Sequence, residues 1–336
     1  LAKTNQTIII KGDQSLSKRD FSRVIKPLNM FGLNIKSKKN KLPIIFKGTD
    51  YLRPIFFEEN LGSAQVKSCI MLASLNTPGI TKIKCINSRD HTERLFKYLK
   101  IPIKIKKISK NIKLIEVHGK KQYNSFNYQI PGDISSAAFF IVLTALSKNS
   151  KILIKNVNVN PSRTGIIEIL KKMNVNITTK NNRLINNEPV ADIFIKGSKS
   201  FKAINCPSEI NSRVIDEFPL IFLICAKANG VSSFKKIGEL RHKESDRLKT
   251  CSNFLRMIGI KVYETKNNLK IYGNPNLKLR DKYNFKNFMK DHRIFMMACI
   301  AALSFGGKWK IYDKDSIKTS FPKFILILKQ IGANIR

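Results

Sequence analysis

The chain has 336 residues, of which 62 are Lys or Arg and 23 are Asp or Glu, giving a formal net charge of +39. Its hydrophobic content of 43% is ordinary for a globular protein, and its length allows two domains with sizeable cores. The apolar runs extend over about ten residues, half of what a bilayer span needs, so they predict buried helices and exclude an integral membrane protein.

The six cysteines are scattered along the chain, at positions 69, 85, 206, 225, 251 and 299. They form no CxxC pair and have no nearby pair of histidines, which argues against a metal site and against a disulfide framework. Free cysteines in apolar runs are typical of a reducing compartment, and residues 1–6 do not have the pattern of a signal peptide. We therefore expect a cytoplasmic protein.

The positive charge suggests nucleic-acid binding as one interpretation. However, most of the excess is lysine, spread evenly among Asn and Ile, and no basic block alternates with aromatic residues. Many arginines instead lie near predicted helix starts, where backbone amides and the helix dipole attract anions. The sequence therefore predicts small anionic substrates rather than nucleic acid.

Two kinds of helical segment alternate along the chain. Nearly all-apolar helices, each followed by a turn and a strand, are predicted to start near residues 63, 135, 214 and 291. Amphipathic helices that open with Ser or Thr, usually with Arg nearby, start near residues 17, 88, 162, 245 and 319. This predicts an α/β protein with a repeat of about 75 residues, and Pro131-Gly132 marks the predicted boundary between domains 1–130 and 131–336.

Residues 239–248 form the most charged segment and lead into an amphipathic helix. A solvated surface helix is the alternative interpretation of such a charge run. If the repeats pack around a local pseudo-axis, however, Arg19, Arg89, Arg247 and Arg293 would meet and bind two anionic groups. We therefore expect a single cleft lined by guanidinium groups.

Carboxylates and hydroxyls near these arginines are candidate catalytic groups. Asp216 and Glu244 could transfer protons, although Asp216 could also be a helix N-cap and Glu244 a surface ion-pair partner. The Ser63 hydroxyl could contact a substrate, or it could simply cap the helix N-terminus. Among the four histidines we rank His292 first, because it lies between an acid and an arginine at a buried helix start. No Ser-His-Asp arrangement, P-loop or GxGxxG motif is evident.

Eight ordered motifs resemble the 5-enolpyruvylshikimate-3-phosphate synthase family, class II branch, over essentially the whole chain. They are Ser63-Ala-Gln-Val-Lys-Ser68, Ser88-Arg-Asp-His-Thr-Glu-Arg94, Pro131-Gly-Asp-Ile-Ser-Ser-Ala137, Asn160-Pro-Ser-Arg-Thr-Gly165, Ile215-Asp-Glu-Phe-Pro219, Glu239-Leu-Arg-His-Lys-Glu-Ser-Asp-Arg-Leu248, Asp291-His-Arg-Ile294 and Thr319-Ser-Phe-Pro322.

The resemblance implies that shikimate 3-phosphate and phosphoenolpyruvate react to give 5-enolpyruvylshikimate 3-phosphate and phosphate, in the pathway to chorismate and aromatic amino acids. It implies addition and elimination through a tetrahedral adduct, without a metal or organic cofactor. The implied fold is a two-domain inside-out α/β barrel built from βαβαββ repeats, with the active site in the cleft and the N-terminal repeat incomplete here. The implied protein is a monomer that binds neither nucleic acid nor membrane.

Roles carried over from the family fall on matching residues of this chain. Shikimate 3-phosphate would contact Ser63, Gln65, Ser88, Arg89, Asp216 and Lys243, with Ala64 adjoining. Phosphoenolpyruvate would contact Arg19, Gln65, Arg247 and Arg293, with His292 adjoining. Asp216 would take the 5-hydroxyl proton, Glu244 would act at the methylene carbon, and Lys243 completes the catalytic set.

The chain departs from the family pattern at several positions. Glu239 stands where other branches of the family carry Asn. Lys318 lies one place early for the lysine that precedes the last Phe-Pro in some members. A Gly-x-Lys-Ser-x-Ser-x-Arg motif and an Asn-Ala-Gly-Thr segment are not found, so we expect a piece of a longer protein that is inactive by itself. The alternatives are an enolpyruvyl transferase acting on UDP-N-acetylglucosamine and a non-enzymatic basic binding protein.

Overall fold

The computed structural model describes residues 2–4, 6–119 and 124–335. The chain divides into two compact units: unit 1 is Leu1–Gln129 with Asn186–Glu188, and unit 2 is Ile130–Ile185 with Pro189–Arg336. The assignment of domains 1–130 and 131–336 to the two lobes of an enolpyruvyl transferase stays a prediction. Among the described residues, every helix is too short or too polar to traverse a lipid bilayer.

Unit 1 begins with a small antiparallel sheet and two helices. The strand order is β1–β3–β2. The elements are β1 (Thr7–Ile10), α1 (Gln14–Ser17), α2 (Ser22–Met30), β2 (Asn34–Ser37) and β3 (Ile44–Lys47). The predicted helix after Ser17 therefore starts only at Ser22, and residues 18–21 form the turn that contains Arg19.

The rest of unit 1 is a four-stranded sheet with two helices in the order βαβαββ. Its strand order is β4–β5–β7–β6, with β4 and β5 parallel and the other pairs antiparallel. The elements are β4 (Phe56–Glu59), α3 (Ala64–Ser74), β5 (Ile80–Ile86), α4 (His91–Tyr98), β6 (Ile103–Lys107) and β7 (Ile112–His118). The parallel pair places the starts of α3 and α4 at the same edge of the sheet, because each helix follows one of its two strands.

Unit 2 opens with the same alternation. Where unit 1 has the strand β4, unit 2 has a single parallel bridge between Gly132 and Val157. The strand order of the following sheet is β8–β10–β9. The elements are α5 (Ile134–Leu146), β8 (Lys151–Asn158), α6 (Gly165–Lys172), β9 (Ile177–Ile185) and β10 (Glu188–Lys196).

Two further groups of elements complete unit 2. One has the four-stranded sheet β12–β14–β16–β15 and the parallel pair β11–β13, and the other has the parallel pair β17–β18. The first group is β11 (Phe201–Lys202), β12 (Asn205–Cys206), α7 (Phe218–Ala226), β13 (Ala228–Asn229), β14 (Val231–Phe234), α8 (Arg247–Met257), β15 (Val262–Glu264) and β16 (Leu269–Tyr272). The second group is β17 (Leu279–Phe285), α9 (His292–Phe305), β18 (Gly306–Ile311) and α10 (Phe324–Gln330).

The predicted apolar helices are α3, α5, α7 and α9, which begin close to the predicted positions. In unit 2, α5, α7 and α9 pack against one another in the core, and all nine residues of α7 are buried. A helix without a polar face must be covered on every side, so this prediction from the sequence is confirmed for α7. The helix starts of unit 2 are therefore held by a well-packed core, and the candidate charged residues lie at those starts.

Candidate active site

Arg247 is the centre of an ionic cluster in unit 2. It is the first residue of α8, after Asp246, whose side chain caps the helix by accepting from the backbone N–H of Lys249 at 2.9 Å. Only 2% of the Arg247 side chain is exposed. Its Nε donates to Asp291 Oδ2 at 2.9 Å and its Nη1 donates to Asp216 Oδ1 at 3.3 Å. Its Nη2 donates to Glu244.

Asp291 is the buried carboxylate of this cluster. It caps α9 by accepting from the backbone N–H of Arg293 at 3.0 Å, and it accepts from Ser245 Oγ at 2.9 Å. Burial alone would raise the pKa of Asp291, but the ion pair with Arg247 and the hydrogen bonds outweigh burial and lower it. Asp291 therefore carries a negative charge that fixes the Arg247 guanidinium against α9.

Asp216 is not the N-cap of the buried helix. Helix α7 begins at Phe218 and its N-cap residue is Glu217, without a side-chain capping bond. The Asp216 carboxylate instead lies 3.3 Å from Arg247 Nη1 and 3.9 Å from Arg293 Nη2. The N-cap interpretation is wrong because the chain turns once more before α7. Asp216, Glu244, Arg247, Asp291 and Arg293 together form what we call the Arg247 cluster.

Glu217 is a buried acid that the sequence analysis did not single out. It accepts a short hydrogen bond from Ser135 Oγ, and Ser135 Oγ in turn accepts from Arg163 Nη2 at 2.7 Å. Burial raises the pKa of Glu217, and the neighbouring Asp216 charge raises it further. A proton on Glu217 would limit the negative charge beside Asp216.

The remaining candidates of unit 2 are Lys243, Glu239, His292 and Lys318. Lys243 Nζ is 3.7 Å from Glu239 Oε1, an ion pair between partly exposed side chains. His292 is the first residue of α9, and burial lowers its pKa although the Glu244 charge opposes that effect. Lys318 is 74% exposed and lies 2.7 Å from Asp315 Oδ1, so the structure places it in a surface ion pair. Its contact with substrate stays a prediction.

Glu244, Asp291 and His292 also bring their ligand atoms within 4.8 Å of one another, a spacing that a metal ion could bridge. However, Arg247 donates to both carboxylates of this group. A guanidinium already occupies the place of the cation, so we assign no metal to these residues.

The candidates of unit 1 lie at the starts of α3 and α4. Ser63 caps α3, since its Oγ accepts from the backbone N–H of Val66 at 3.3 Å, and Ala64 and Gln65 form the first turn. Ser88 and Arg89 lie in the loop between β5 and α4. The capping interpretation of Ser63 is confirmed, and an N-cap hydroxyl can still contact a ligand. The ligand contacts of these two segments and of Arg19 stay predictions. So does the convergence of Arg19 and Arg89 with Arg247 and Arg293.

Comparison with known proteins identifies the family. A profile of EPSP synthase (3-phosphoshikimate 1-carboxyvinyltransferase) matches residues 1–328. The 3-phosphoshikimate 1-carboxyvinyltransferase of Ruthia magnifica is 41% identical over 329 residues, which cover 96% of this chain and 73% of that protein.

Solved structures agree with this family match. An EPSP synthase structure from Acinetobacter baumannii has a TM-score of 0.86 at 35% identity, covering 100% of this chain and 76% of that one. The enolpyruvyl transferase NikO from Streptomyces tendae, with a TM-score of 0.74 at 14% identity over 99% of this chain and 74% of that one, shares the fold. The chain spans about three quarters of the length of these relatives. The chain belongs to the EPSP synthase family.

Proposed function

We propose that the protein transfers the enolpyruvyl group of phosphoenolpyruvate to the 5-hydroxyl of shikimate 3-phosphate, giving 5-enolpyruvylshikimate 3-phosphate and phosphate. The reaction belongs to the shikimate pathway, which supplies chorismate for aromatic amino acids. Membership of the EPSP synthase family supports the proposal. The structural observation that carries it is the Arg247 cluster.

Phosphoenolpyruvate carries a carboxylate and a phosphate, the two groups that arginine binds best through paired N–H donors. In the structure, Asp216, Glu244 and Asp291 accept from these donors of Arg247. An incoming anion would therefore replace one of the two more exposed acids, Asp216 or Glu244, while Asp291 continues to hold the guanidinium. Substrate binding would thereby release a carboxylate next to the reacting atoms.

The proton transfers follow from that release. In the addition step, Asp216 takes the proton of the 5-hydroxyl, the hydroxyl oxygen bonds to C2 of phosphoenolpyruvate, and Glu244 gives a proton to the methylene carbon. In the elimination step, Glu244 removes a proton from that carbon as the C–O bond to phosphate breaks. Asp216 passes the hydroxyl proton to the departing phosphate, so Asp216 is again a carboxylate and Glu244 is again protonated, as each was before the addition step.

The residues of unit 1 complete the proposal. Ser63, Gln65, Ser88 and Arg89 would bind shikimate 3-phosphate, and Arg19 would add a cation for phosphoenolpyruvate. We also propose that the βαβαββ order seen in unit 1 is the repeat of an inside-out α/β barrel in both lobes. A monomeric state and a cytoplasmic location are further proposals.

The test is phosphate release from phosphoenolpyruvate, measured with each substrate alone and with both. The 336-residue chain is assayed beside the polypeptide read from the whole gene, including whatever sequence precedes Leu1. We expect the whole polypeptide to release phosphate only when shikimate 3-phosphate is present, and not when UDP-N-acetylglucosamine replaces it. Release with UDP-N-acetylglucosamine instead, or no release with either acceptor from a folded protein, would overturn the proposal.

A further inference from the structure

Lys67 is a fully buried lysine inside unit 1. It lies on α3, and its side chain is 0% exposed. Its Nζ donates to the backbone oxygen of Arg89 at 2.6 Å and lies 2.7 Å from Glu93 Oε1. Burial lowers the pKa of Lys67, and the negative charge of Glu93 opposes that effect. A buried ammonium group is costly, so its partners decide what it contributes.

These partners connect the two segments that we propose to bind shikimate 3-phosphate. Lys67 is two residues after Gln65 in the first turns of α3, and the oxygen that it contacts belongs to Arg89, in the loop before α4. A second contact joins the same two helices, since Ser68 Oγ and Thr92 Oγ1 are 2.7 Å apart. The position of the loop relative to α3 is therefore set by a buried charge-assisted hydrogen bond and by a hydroxyl pair.

The loop itself carries a sign of a ligand. Ser88 Oγ is buried and has no hydrogen-bond partner among the described residues. A buried hydroxyl normally has a partner, and an oxygen atom of a bound phosphate could supply one. The residue before Arg89 in the loop thus carries a buried hydroxyl group, and a bound ligand could supply its hydrogen-bond partner.

Packing alone does not require a lysine at this position. Lys67 shares its helix face with Ile70, Met71 and Ser74, all buried, and an unbranched apolar side chain would fill the same space. Replacing a buried ion pair by apolar groups is often neutral for stability. An apolar side chain could not, however, donate to the Arg89 carbonyl.

We propose that Lys67 is a positioning residue for shikimate 3-phosphate, because its ammonium group holds the Ser88-Arg89 loop in register with the start of α3. The inference rests on the proposed function. It predicts that removing the ammonium group weakens the binding of shikimate 3-phosphate and leaves the Arg247 cluster intact.

The test compares Lys67→Met with wild type in the whole polypeptide. Since small displacements of binding groups reduce binding strongly, we expect the KM and Kd of shikimate 3-phosphate to rise by about tenfold or more. The KM of phosphoenolpyruvate at saturating shikimate 3-phosphate should change less than the KM of shikimate 3-phosphate, because the Ser88-Arg89 loop is assigned to shikimate 3-phosphate alone. A merely structural role would lower the amount of active enzyme and leave both KM values unchanged.

Two further variants keep the test decisive. Lys113 also contacts Glu93, at 2.7 Å, so Lys113→Met is the matched control that should leave the KM of shikimate 3-phosphate unchanged. Lys67→Met leaves the buried Glu93 carboxylate with one lysine partner fewer, which could prevent folding. In that case the double variant Lys67→Met/Glu93→Gln removes the negative charge of Glu93 as well. The double variant should fold and still bind shikimate 3-phosphate about tenfold more weakly.

Wild-type affinity in a folded Lys67→Met or double variant would overturn the positioning role. An equal loss in Lys113→Met would also overturn it, because the effect would then belong to Glu93. A folded wild-type protein that does not bind shikimate 3-phosphate would overturn the proposed function itself, which is a different result from a variant that binds as tightly as wild type.

Discussion

The two units hold their candidate residues in different ways. In unit 2, Arg247 is 2% exposed and lies among three carboxylates, so charge pairs between side chains fix the site. In unit 1, Arg19 and Gln65 are exposed, and a buried lysine holds the backbone of Arg89. Unit 2 thus orients side chains through other side chains, whereas unit 1 orients a loop through its backbone.

This difference has a chemical meaning under the proposed function. Proton transfer requires carboxylates placed accurately against the reacting atoms, and a network of charged side chains provides that accuracy. Binding of a phosphate group requires a loop with well-placed donors, which a buried hydrogen bond to the backbone can provide. Variants in unit 2 should therefore affect turnover and stability together, and variants in unit 1 should affect binding.

The largest effect is expected for Arg247→Met. It removes the partner of buried Asp291, so the free energy of unfolding should fall by about 3–5 kcal/mol. It also removes a cation from the proposed phosphoenolpyruvate site, so kcat/KM should fall by about 10²–10³-fold. Urea denaturation and steady-state assays measure the two effects. Arg256→Met, at an exposed ion pair of the same helix, is the matched control and should change neither; equal effects in both variants would contradict the special role of Arg247.

The second-largest effect is expected for Asp291→Asn. The asparagine side chain still caps α9, but the charge that holds Arg247 is lost, so we expect the free energy of unfolding to fall by about 1–3 kcal/mol. The KM of phosphoenolpyruvate should rise as the guanidinium loses its fixed orientation. Asp246→Asn is the control, because Asp246 caps α8 and forms a more exposed ion pair with Arg241, worth about 0–1 kcal/mol. Identical stability losses in the two variants would contradict a special contribution of the buried charge of Asp291.

A smaller effect is expected from the pH dependence of Glu217. The raised pKa of Glu217 means that the folded protein keeps a proton that the unfolded chain loses near its ordinary value of 4.5. The contribution of Glu217 to stability is therefore complete below pH 4.5 and is lost as the pH rises through the folded-state pKa. Glu217→Gln should reduce this fall in the free energy of unfolding, as measured by urea denaturation at several pH values. An unchanged slope would show that the folded protein does not hold that proton.

The smallest effect is expected for Lys318→Ala. Its ion pair with Asp315 is exposed to solvent, so the urea midpoint should not change measurably. If Lys318 takes no part in substrate binding, the kcat and both KM values should also equal those of wild type. A large fall in kcat with unchanged stability would instead add Lys318 to the site.

Much of the fold could be predicted from hydrophobic periodicity. Apolar runs locate α5, α7 and α9 because a helix that is buried on most of its surface has few polar residues and no polar face. The same periodicity could have identified Lys67, which shares the spacing of Ile70, Met71 and Ser74 on the buried face of α3. However, a lysine near the start of a helix is ordinarily assigned to solvent, because lysine is almost never fully buried unless it is paired.

Other features depend on contacts that the sequence does not encode locally. The pairing of Arg247 with Asp291 joins residues of α8 and the start of α9, and only the folded chain brings them together. The role of Asp216 was open between a proton-transfer group and a helix N-cap, and only one extra turn of chain before α7 rules out the N-cap. Spacing along the chain cannot determine such contacts.

The most direct test of the central claim follows the reaction by ³¹P NMR with the whole polypeptide and both substrates. For wild type we predict equal amounts of free phosphate and enolpyruvyl product. For Asp216→Asn we predict that both substrates still bind but that no product forms over the time in which wild type completes the reaction. Turnover of Asp216→Asn at the wild-type rate, or a wild-type protein that binds both substrates without forming product, would contradict the account.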